Sequence, residues 1–341
     1  SIGNNIFLSG RAGTGKSTLI HAFKKVASER CAFLSSTGLA ALNIDGSTIH
    51  RFFKFHHGVL NPETIEGAPA SSKFCSLINS IDTILIDEIS MTRSDVMCAI
   101  DIRLRQATGL YDIPFGGKQV ILVGDPYQLP PVVTQKDALY FNGSLFPGAF
   151  FFESKAFHEG DFKRINLTKS FRQKGETPFL SALNDIREGK NKSKSVQYFN
   201  NAAKKKPEKN TLILCTTNKI ADKANQLGLN ALKGTLHAIE SNSWGNIRPT
   251  DFPVPETIQI KEGARVIMAA NHPDEIYFNG SMGSVKNITD DVITVSLDSG
   301  DEVDVTKKTW EFNNYVLEVP TEDAGLNNKQ KPKHKKKKKG E

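Results

Sequence analysis

Four short apolar runs punctuate the first half of the chain: Ile6–Ser9, Ala32–Ser35, Thr83–Ile86 and Val120–Val123. Each is strand-sized and continuous, whereas a strand with one wet face would alternate apolar and polar residues. A glycine-rich turn over Gly10–Gly15 and a helix over Lys16–Ala27 are expected after the first run. Buried strands separated by helices imply a parallel sheet covered on both faces. Residues 55–72 break this rhythm with Gly58, Pro62, Gly67 and Pro69, and are expected to leave the sheet as a small subdomain or a surface loop.

A second α/β unit is expected from about Phe157. The spacing of Phe179, Leu180, Leu183 and Ile186 predicts a helix over Phe179–Glu188. Thr211–Cys215 reads as an apolar strand, and Asn218 as the cap of a helix running to Leu229. After Ile258 the pattern changes to short strands at Arg265–Met268, Gly283–Ile288, Val292–Leu297 and Glu302–Val305. Asn279-Gly280 and Ser299-Gly300 are turn signals between them, so a small antiparallel β module is expected. Thr321–Glu341 is polar and lysine-rich without an apolar face, a composition that predicts disorder.

Charge changes this picture in one place. The 341 residues carry a net charge of +7, but from Lys329 onward eight lysines stand against the single acid Glu341, so the tail holds the whole excess. The body is formally neutral, and a basic nucleic-acid face cannot be read from the balance. No apolar run approaches the roughly 18 residues of a membrane span, so no membrane partner is expected. Cys31, Cys75, Cys98 and Cys215 are far apart and lack metal-ligand spacing. Together with the absence of a signal peptide before the first strand, they predict an intracellular, reducing location.

The candidate chemistry starts at Gly10-Arg11-Ala12-Gly13-Thr14-Gly15-Lys16-Ser17, a complete Walker A pattern between an expected strand and an expected helix. Glycines let backbone N–H groups curl around phosphate oxygens, and the helix N-terminus adds its positive end. The expected nucleotide-binding set is Gly10, Ala12, Gly13, Thr14, Gly15, Lys16, Ser17 and Thr18, with Lys16 reaching the β- and γ-phosphates and Ser17 holding Mg²⁺. Thr83–Ile86 leads into Asp87-Glu88. Asp87 is placed for Mg²⁺, and Glu88 for the role of general base toward the attacking water. Gly124-Asp125-Pro126-Tyr127-Gln128-Leu129-Pro130-Pro131 follows the last run. Gln128 there either senses the γ-phosphate or positions water, or the segment is only a proline-stiffened loop.

Taken together, these segments resemble a superfamily-1 DNA helicase of the RecD-like branch, and within it the Pif (petite integration frequency) family. The resemblance runs from Asn5 to about Val316. Besides the segments above, it is carried by Thr37-Gly38-Leu39-Ala40-Ala41, Gly46-Ser47-Thr48-Ile49-His50 with Phe53, Ile89-Ser90-Met91 with Thr92–Gln106, Leu167-Thr168-Lys169-Ser170-Phe171-Arg172-Gln173, and Phe278-Asn279-Gly280-Ser281-Met282-Gly283. A single-domain P-loop kinase or small GTPase would leave most of these segments unexplained.

The resemblance implies a first RecA-like domain over 1–155 with a wedge-like insertion at 55–75, and a second, incomplete one over 156–275. A small SH3-like β module over 276–320 and the lysine-rich tail at 321–341 would complete the chain. It implies an ATP- and Mg²⁺-dependent 5′-to-3′ DNA helicase, a monomer, acting on single-stranded and on forked or partly duplex DNA in repair or recombination. Lys16, Glu88, Gln128 and Arg172 would be catalytic, with Arg172 an arginine finger or else an interdomain ion-pair partner. Thr37, Gly38, Thr48, His50, Phe53, Asn279 and Gly280 would lie along the DNA, although His50 and Phe53 also suit a core. An adenine-reading glutamine segment upstream of Gly10 and the closing Thr-x-His-Lys-Ser-Gln-Gly-type motif with its second arginine do not occur in this sequence. A truncated core with slow hydrolysis and poor unwinding is therefore expected, with a nucleotide-dependent single-strand-binding protein as the alternative.

Overall fold

The computed structural model describes residues 3–310 apart from Ser28, His57, Ser144, Glu275 and the segments 172–176, 205–210 and 245–251. The expected tail at 321–341 lies outside the described residues. The first unit contains β1 (Ile6–Gly10), α1 (Lys16–Val26), β2 (Cys31–Ser35), α2 (Gly38–Asn43), β3 (Ser47–Thr48), α3 (Ile49–Phe53), α4 (Pro62–Gly67) and α5 (Ser72–Ser80). It continues through β4 (Thr83–Asp87), α6 (Ser94–Thr108), β5 (Gln119–Gly124), α7 (Lys155–Glu159) and β6 (Lys163–Leu167). The six strands form one sheet in the order β3-β2-β4-β5-β1-β6, parallel at every pairing.

The unbroken apolar runs have a direct explanation in the packing. Alternate strand residues point to opposite faces. Ala32, Leu34, Ile84, Ile86, Val120 and Leu122 enter one core with α5 and α6, while Cys31, Phe33, Leu85 and Val123 enter another with Ile20 of α1 and Ile44 beyond α2. Both faces are dry, so neither set of positions can be polar. Because the strands are parallel, the ends of β1, β4 and β5 lie at one edge of the sheet, and the candidate site is built there.

Residues 55–75 contain α4 and the start of α5, and fasten to the core through Phe55, Leu60, Ile65 and Phe74. Phe53 belongs to the same cluster: it is 2% exposed, stacks on Phe55 at 5.3 Å and packs against Phe52 and Phe74. The expected DNA contact at Phe53 is thus corrected to a core role, because its ring is enclosed by aromatic neighbours. Phe53→Ala is expected to destabilise the chain by about 3–5 kcal/mol, read as a lower denaturant midpoint at unchanged slope. A midpoint shift of only a few tenths of that size would contradict the packing role.

β6 carries the first sheet past residue 155, where the sequence reading ended the first unit. Its sequence, Lys-Arg-Ile-Asn-Leu, is too polar to register as a buried strand, and it occupies the edge of the sheet, mostly exposed. Beyond it come α8 (Pro178–Glu188), α9 (Lys192–Ala202), α10 (Asn218–Ala231), and an antiparallel pair of β7 (His237–Glu240) with β8 (Thr257–Ile260). The strand expected over residues 211–215 does not form. Ile213 and Leu214 are 67% and 90% exposed, and among the described residues no strand lies alongside to take up their backbone groups. A second parallel sheet is accordingly not assembled among the described residues. The cap of α10 is Thr217, whose hydroxyl accepts from Ile220 N–H, and Asn218 is the first helical residue.

The β module is an antiparallel sheet ordered β12-β11-β10-β9, from β9 (Arg265–Ile267), β10 (Met282–Ile288), β11 (Val292–Leu297) and β12 (Glu302–Thr306). Met268, Val295, Leu297 and Val303 form its core. It therefore begins before the expected boundary at 276.

Candidate active site

The phosphate loop leaves β1 at Gly10, where a Cβ would lie 2.6 Å from Thr14 Oγ1 and 2.9 Å from Leu167 Cβ, so only glycine fits without movement. Gly15 caps α1 at φ +89° and supplies no side chain to the first-turn N–H groups. These donors are the phosphate-binding feature of such a helix start. Thr14 is buried and its hydroxyl donates to Arg11 O at 2.8 Å. The Lys16 ammonium donates to Gly10 O at 2.8 Å and Arg11 O at 3.2 Å, folded back along the loop. Burial lowers its pKa, while Asp125, Glu88 and Asp87 oppose that shift and Arg187 adds to it. Four charged groups therefore act on one ammonium. Ala12, Ser17 and Thr18 are exposed, the last two in the first turn of α1.

β4 brings the two acids in. Asp87 is 7% exposed, and burial pushes its carboxyl up to about 6, with the hydrogen bond from Glu88 N–H working the other way. Glu88 adopts φ +52° and ψ +43°, a left-handed conformation costing a non-glycine residue of order 1 kcal/mol. This turns Glu88 off the strand. Hydroxyls from the end of β2 hold the bend: Ser35 Oγ donates to Asp87 O at 3.2 Å and Ser36 Oγ to Glu88 O at 2.9 Å.

The raised Asp87 pKa has a testable sign. The folded state holds this proton more tightly than the unfolded chain, so stability falls as pH rises from the ordinary value of 3.8 and levels off above about 6. Without nucleotide or divalent ion, Asp87→Asn is expected to gain roughly 1–3 kcal/mol at pH 7.5 and almost nothing near pH 3.5, by urea titration. Equal midpoints for the two proteins at pH 7.5 would contradict the buried-charge account.

From the end of β5 the chain enters the loop containing Gln128. Asp125 is 1% exposed and organises this loop: its side chain accepts from Tyr127 N–H at 3.2 Å and Gln128 Nε2 at 3.3 Å, and its carbonyl from Gln128 N–H at 2.9 Å. The Gln128 side chain is exposed. Contacts from beyond β6 complete the edge. Phe171 N–H donates to Gly13 O at 2.8 Å. The last turn of α8 places Arg187 on Asp125, with Nη2 2.8 Å from Oδ1, and Glu188 on Arg11 at 2.6 Å. Arg172 lies outside the described residues.

Sequence reasoning missed Asp125, Arg187, Glu188 and Arg11 as a set. The only local signal was a helix ending in two charges before Gly189, and nothing in that spacing names their partners.

The donor set suits a magnesium nucleotide. The Asp87 carboxylate is buried and accepts from Glu88 N–H, and it and the Ser17 hydroxyl are oxygen ligands of the kind Mg²⁺ accepts.

Of the residues expected along DNA, Thr37 and Thr48 cap α2 and α3, their hydroxyls accepting from Ala40 and Arg51 N–H, each at 3.3 Å. Thr37 follows β2 and Thr48 ends β3, its neighbour in the sheet, at the same edge as the phosphate loop. Gly38 opens α2, and His50 is half-buried in α3 with its ring edge-on to Phe55. Asn279 and Gly280 are exposed in the turn before β10, and Asn279 Nδ2 reaches Asn43 Oδ1 at 3.5 Å. The structure thus brings the β module against the end of α2.

A phosphate loop ending one strand, paired acids ending a second and a glutamine loop ending a third, on one edge of a parallel sheet, define a P-loop nucleotide-binding protein of RecA-like fold. The family model for PIF1-like helicases matches residues 1–197. The chain is 33% identical over 304 residues to the ATP-dependent DNA helicase PIF1 of Saccharomyces cerevisiae, a match covering 84% of this chain and 34% of that protein. Pif1 from Bacteroides in complex with ADP-AlF4 superposes with a TM-score of 0.81 at 29% identity, covering 92% of this chain and 73% of that one. Bacteroides Pif1 bound to single-stranded DNA superposes with a TM-score of 0.63 at 30% identity over the same shares. The chain belongs to the PIF1-like helicase family, and it spans about a third of the length of the yeast relative.

Proposed function

We propose that this chain is the motor of an ATP-driven DNA helicase that moves 5′-to-3′ along single-stranded DNA and opens forked or partly duplex DNA. The observation that carries this reading is the meeting, at one sheet edge, of the Lys16 phosphate loop after β1, Asp87-Glu88 at the end of β4 and Asp125 after β5, with Arg187 of α8 on Asp125 at 2.8 Å. Lys16 exchanges the carbonyls of Gly10 and Arg11 for phosphate oxygens when ATP enters. Ser17 and Asp87 would hold Mg²⁺, which would supply positive charge at the phosphates. Glu88 accepts a proton from the attacking water, Gln128 orients that water, and Arg172 contributes charge to the leaving phosphoryl group. Thr37, Gly38, Thr48, His50, Asn279 and Gly280 contact the DNA backbone rather than its bases, which fits a body of neutral charge. The chain acts as a monomer in a reducing intracellular compartment, in repair or recombination.

Strand separation on duplexes carrying a 5′ or a 3′ single-stranded tail tests this reading. Opening of the 5′-tailed duplex alone, with ATP and Mg²⁺ but not with ADP, is the expected result. Opening from the 3′ tail would contradict the polarity. ATP-dependent DNA binding without opening would instead identify a nucleotide-switched single-strand binder.

A further inference from the structure

α8 is remote from the phosphate loop in sequence, yet its last turn grips the nucleotide edge at two points. Arg187 binds Asp125 with two nitrogens: Nη2 donates to Oδ1 at 2.8 Å and Nε to Oδ2 at 3.3 Å. Its guanidinium also lies 4.5 Å from the centre of the Tyr127 ring. Next to it, Glu188 accepts from Arg11 of the phosphate loop at 2.6 Å, and its second oxygen takes Lys190 at 2.8 Å.

Three features set Arg187 apart from an ordinary surface ion pair. Asp125 is buried to 1% exposure, and a carboxylate so enclosed depends on its partners in a way that exposed pairs do not. Asp125 Oδ2 accepts from both Arg187 Nε and Gln128 Nε2, each at 3.3 Å, so the arginine and the glutamine are held by one oxygen. Glu188, the next residue, holds Arg11 of the phosphate loop at 2.6 Å, which places the last turn of α8 beside the phosphate site.

We infer that Arg187 is a positioning residue for the hydrolytic reaction: through Asp125 it fixes the loop that carries Gln128, so that the glutamine is aimed while α8 is docked and loosened when α8 withdraws. This rests on the proposed ATP hydrolysis and adds to it a mechanical link. Movement of α8 against the first sheet is transmitted to the water-orienting side chain, and Glu188 on Arg11 registers the same movement at the phosphate loop. The planar guanidinium fork matters here, because lysine can supply the charge but cannot span both carboxylate oxygens.

Two readouts test the link. The first is amide hydrogen exchange over residues 124–130 in nucleotide-free protein, for wild type, Arg187→Ala and Arg187→Lys. Arg30→Ala serves as control, since it removes an exposed ion pair, with Asp82, next to the start of β4 rather than at the loop end of the sheet. Faster exchange at Tyr127 and Gln128 is expected in Arg187→Ala and Arg187→Lys, and none in the control. The second is steady-state hydrolysis with DNA. Arg187→Ala is expected to lower kcat by roughly 10–100-fold, with KM for ATP within about threefold. The double variant Arg187→Ala/Gln128→Ala is expected to be no slower than Gln128→Ala alone, within about twofold. Unchanged exchange over 124–130 in Arg187→Ala, or multiplying losses in the double variant, would overturn the inference. A wild-type chain that fails to hydrolyse ATP while Arg187→Ala still loosens 124–130 would instead remove the ATPase reading and leave the Arg187–Asp125–Gln128 link in place.

Discussion

Glu88→Gln is expected to slow ATP turnover by roughly 10²–10⁴-fold while leaving triphosphate binding nearly intact. The amide keeps the size and most of the hydrogen bonding of the carboxylate but cannot accept a proton from water. The backbone favours this role for Glu88 over its neighbour. Asp87 is buried, forms the last residue of β4 and holds its proton up to about pH 6, whereas Glu88 has left the strand through a left-handed turn and is only half-buried. Strain kept at such a position in an otherwise regular sheet points to use rather than accident. Single-turnover hydrolysis and fluorescent-nucleotide binding separate the two effects. A variant that turned over within about fivefold of wild type would assign the base elsewhere.

Lys16→Ala is expected to remove both hydrolysis and tight triphosphate binding, with a loss in kcat/KM of order 10³-fold or more. The ammonium feels the charges of Asp125, Glu88 and Asp87, and burial already lowers its proton affinity. Removing it leaves those acids without their shared cation at the point where phosphate charge must be accommodated. Lys16 is also bonded to two loop carbonyls, so the variant should lose a little rigidity in the loop as well. Calorimetric titration with a non-hydrolysable triphosphate measures the binding arm. Unaltered affinity in Lys16→Ala would contradict its placement on the phosphates.

The first sheet was legible because burial on both faces makes the central strand positions apolar, and β1, β2, β4 and β5 advertise themselves for that reason. The phosphate loop and the paired acids were legible because their chemistry demands contiguous residues. β6 was not, since an edge strand with polar residues looks like a loop until its neighbour is known. Residues 211–215 failed in the opposite sense: an apolar run is strand material, but a strand exists only where another supplies hydrogen bonds. Phe53 could not be settled by pattern, because a ring in a five-residue helix is equally ready to face solvent or a cluster of phenylalanines. The Arg187–Asp125 pair joins residues 62 apart. Nothing local encodes such a pairing, although it lies beside the very loop that the motif identified.

The most direct test of the account is ATP hydrolysis by this chain with and without saturating single-stranded DNA, with Lys16→Ala as the blank. Stimulation by DNA on the order of tenfold or more, absent from Lys16→Ala, is the expected result. Hydrolysis that is Lys16-dependent but indifferent to DNA would contradict a motor that couples the nucleotide edge to a DNA track.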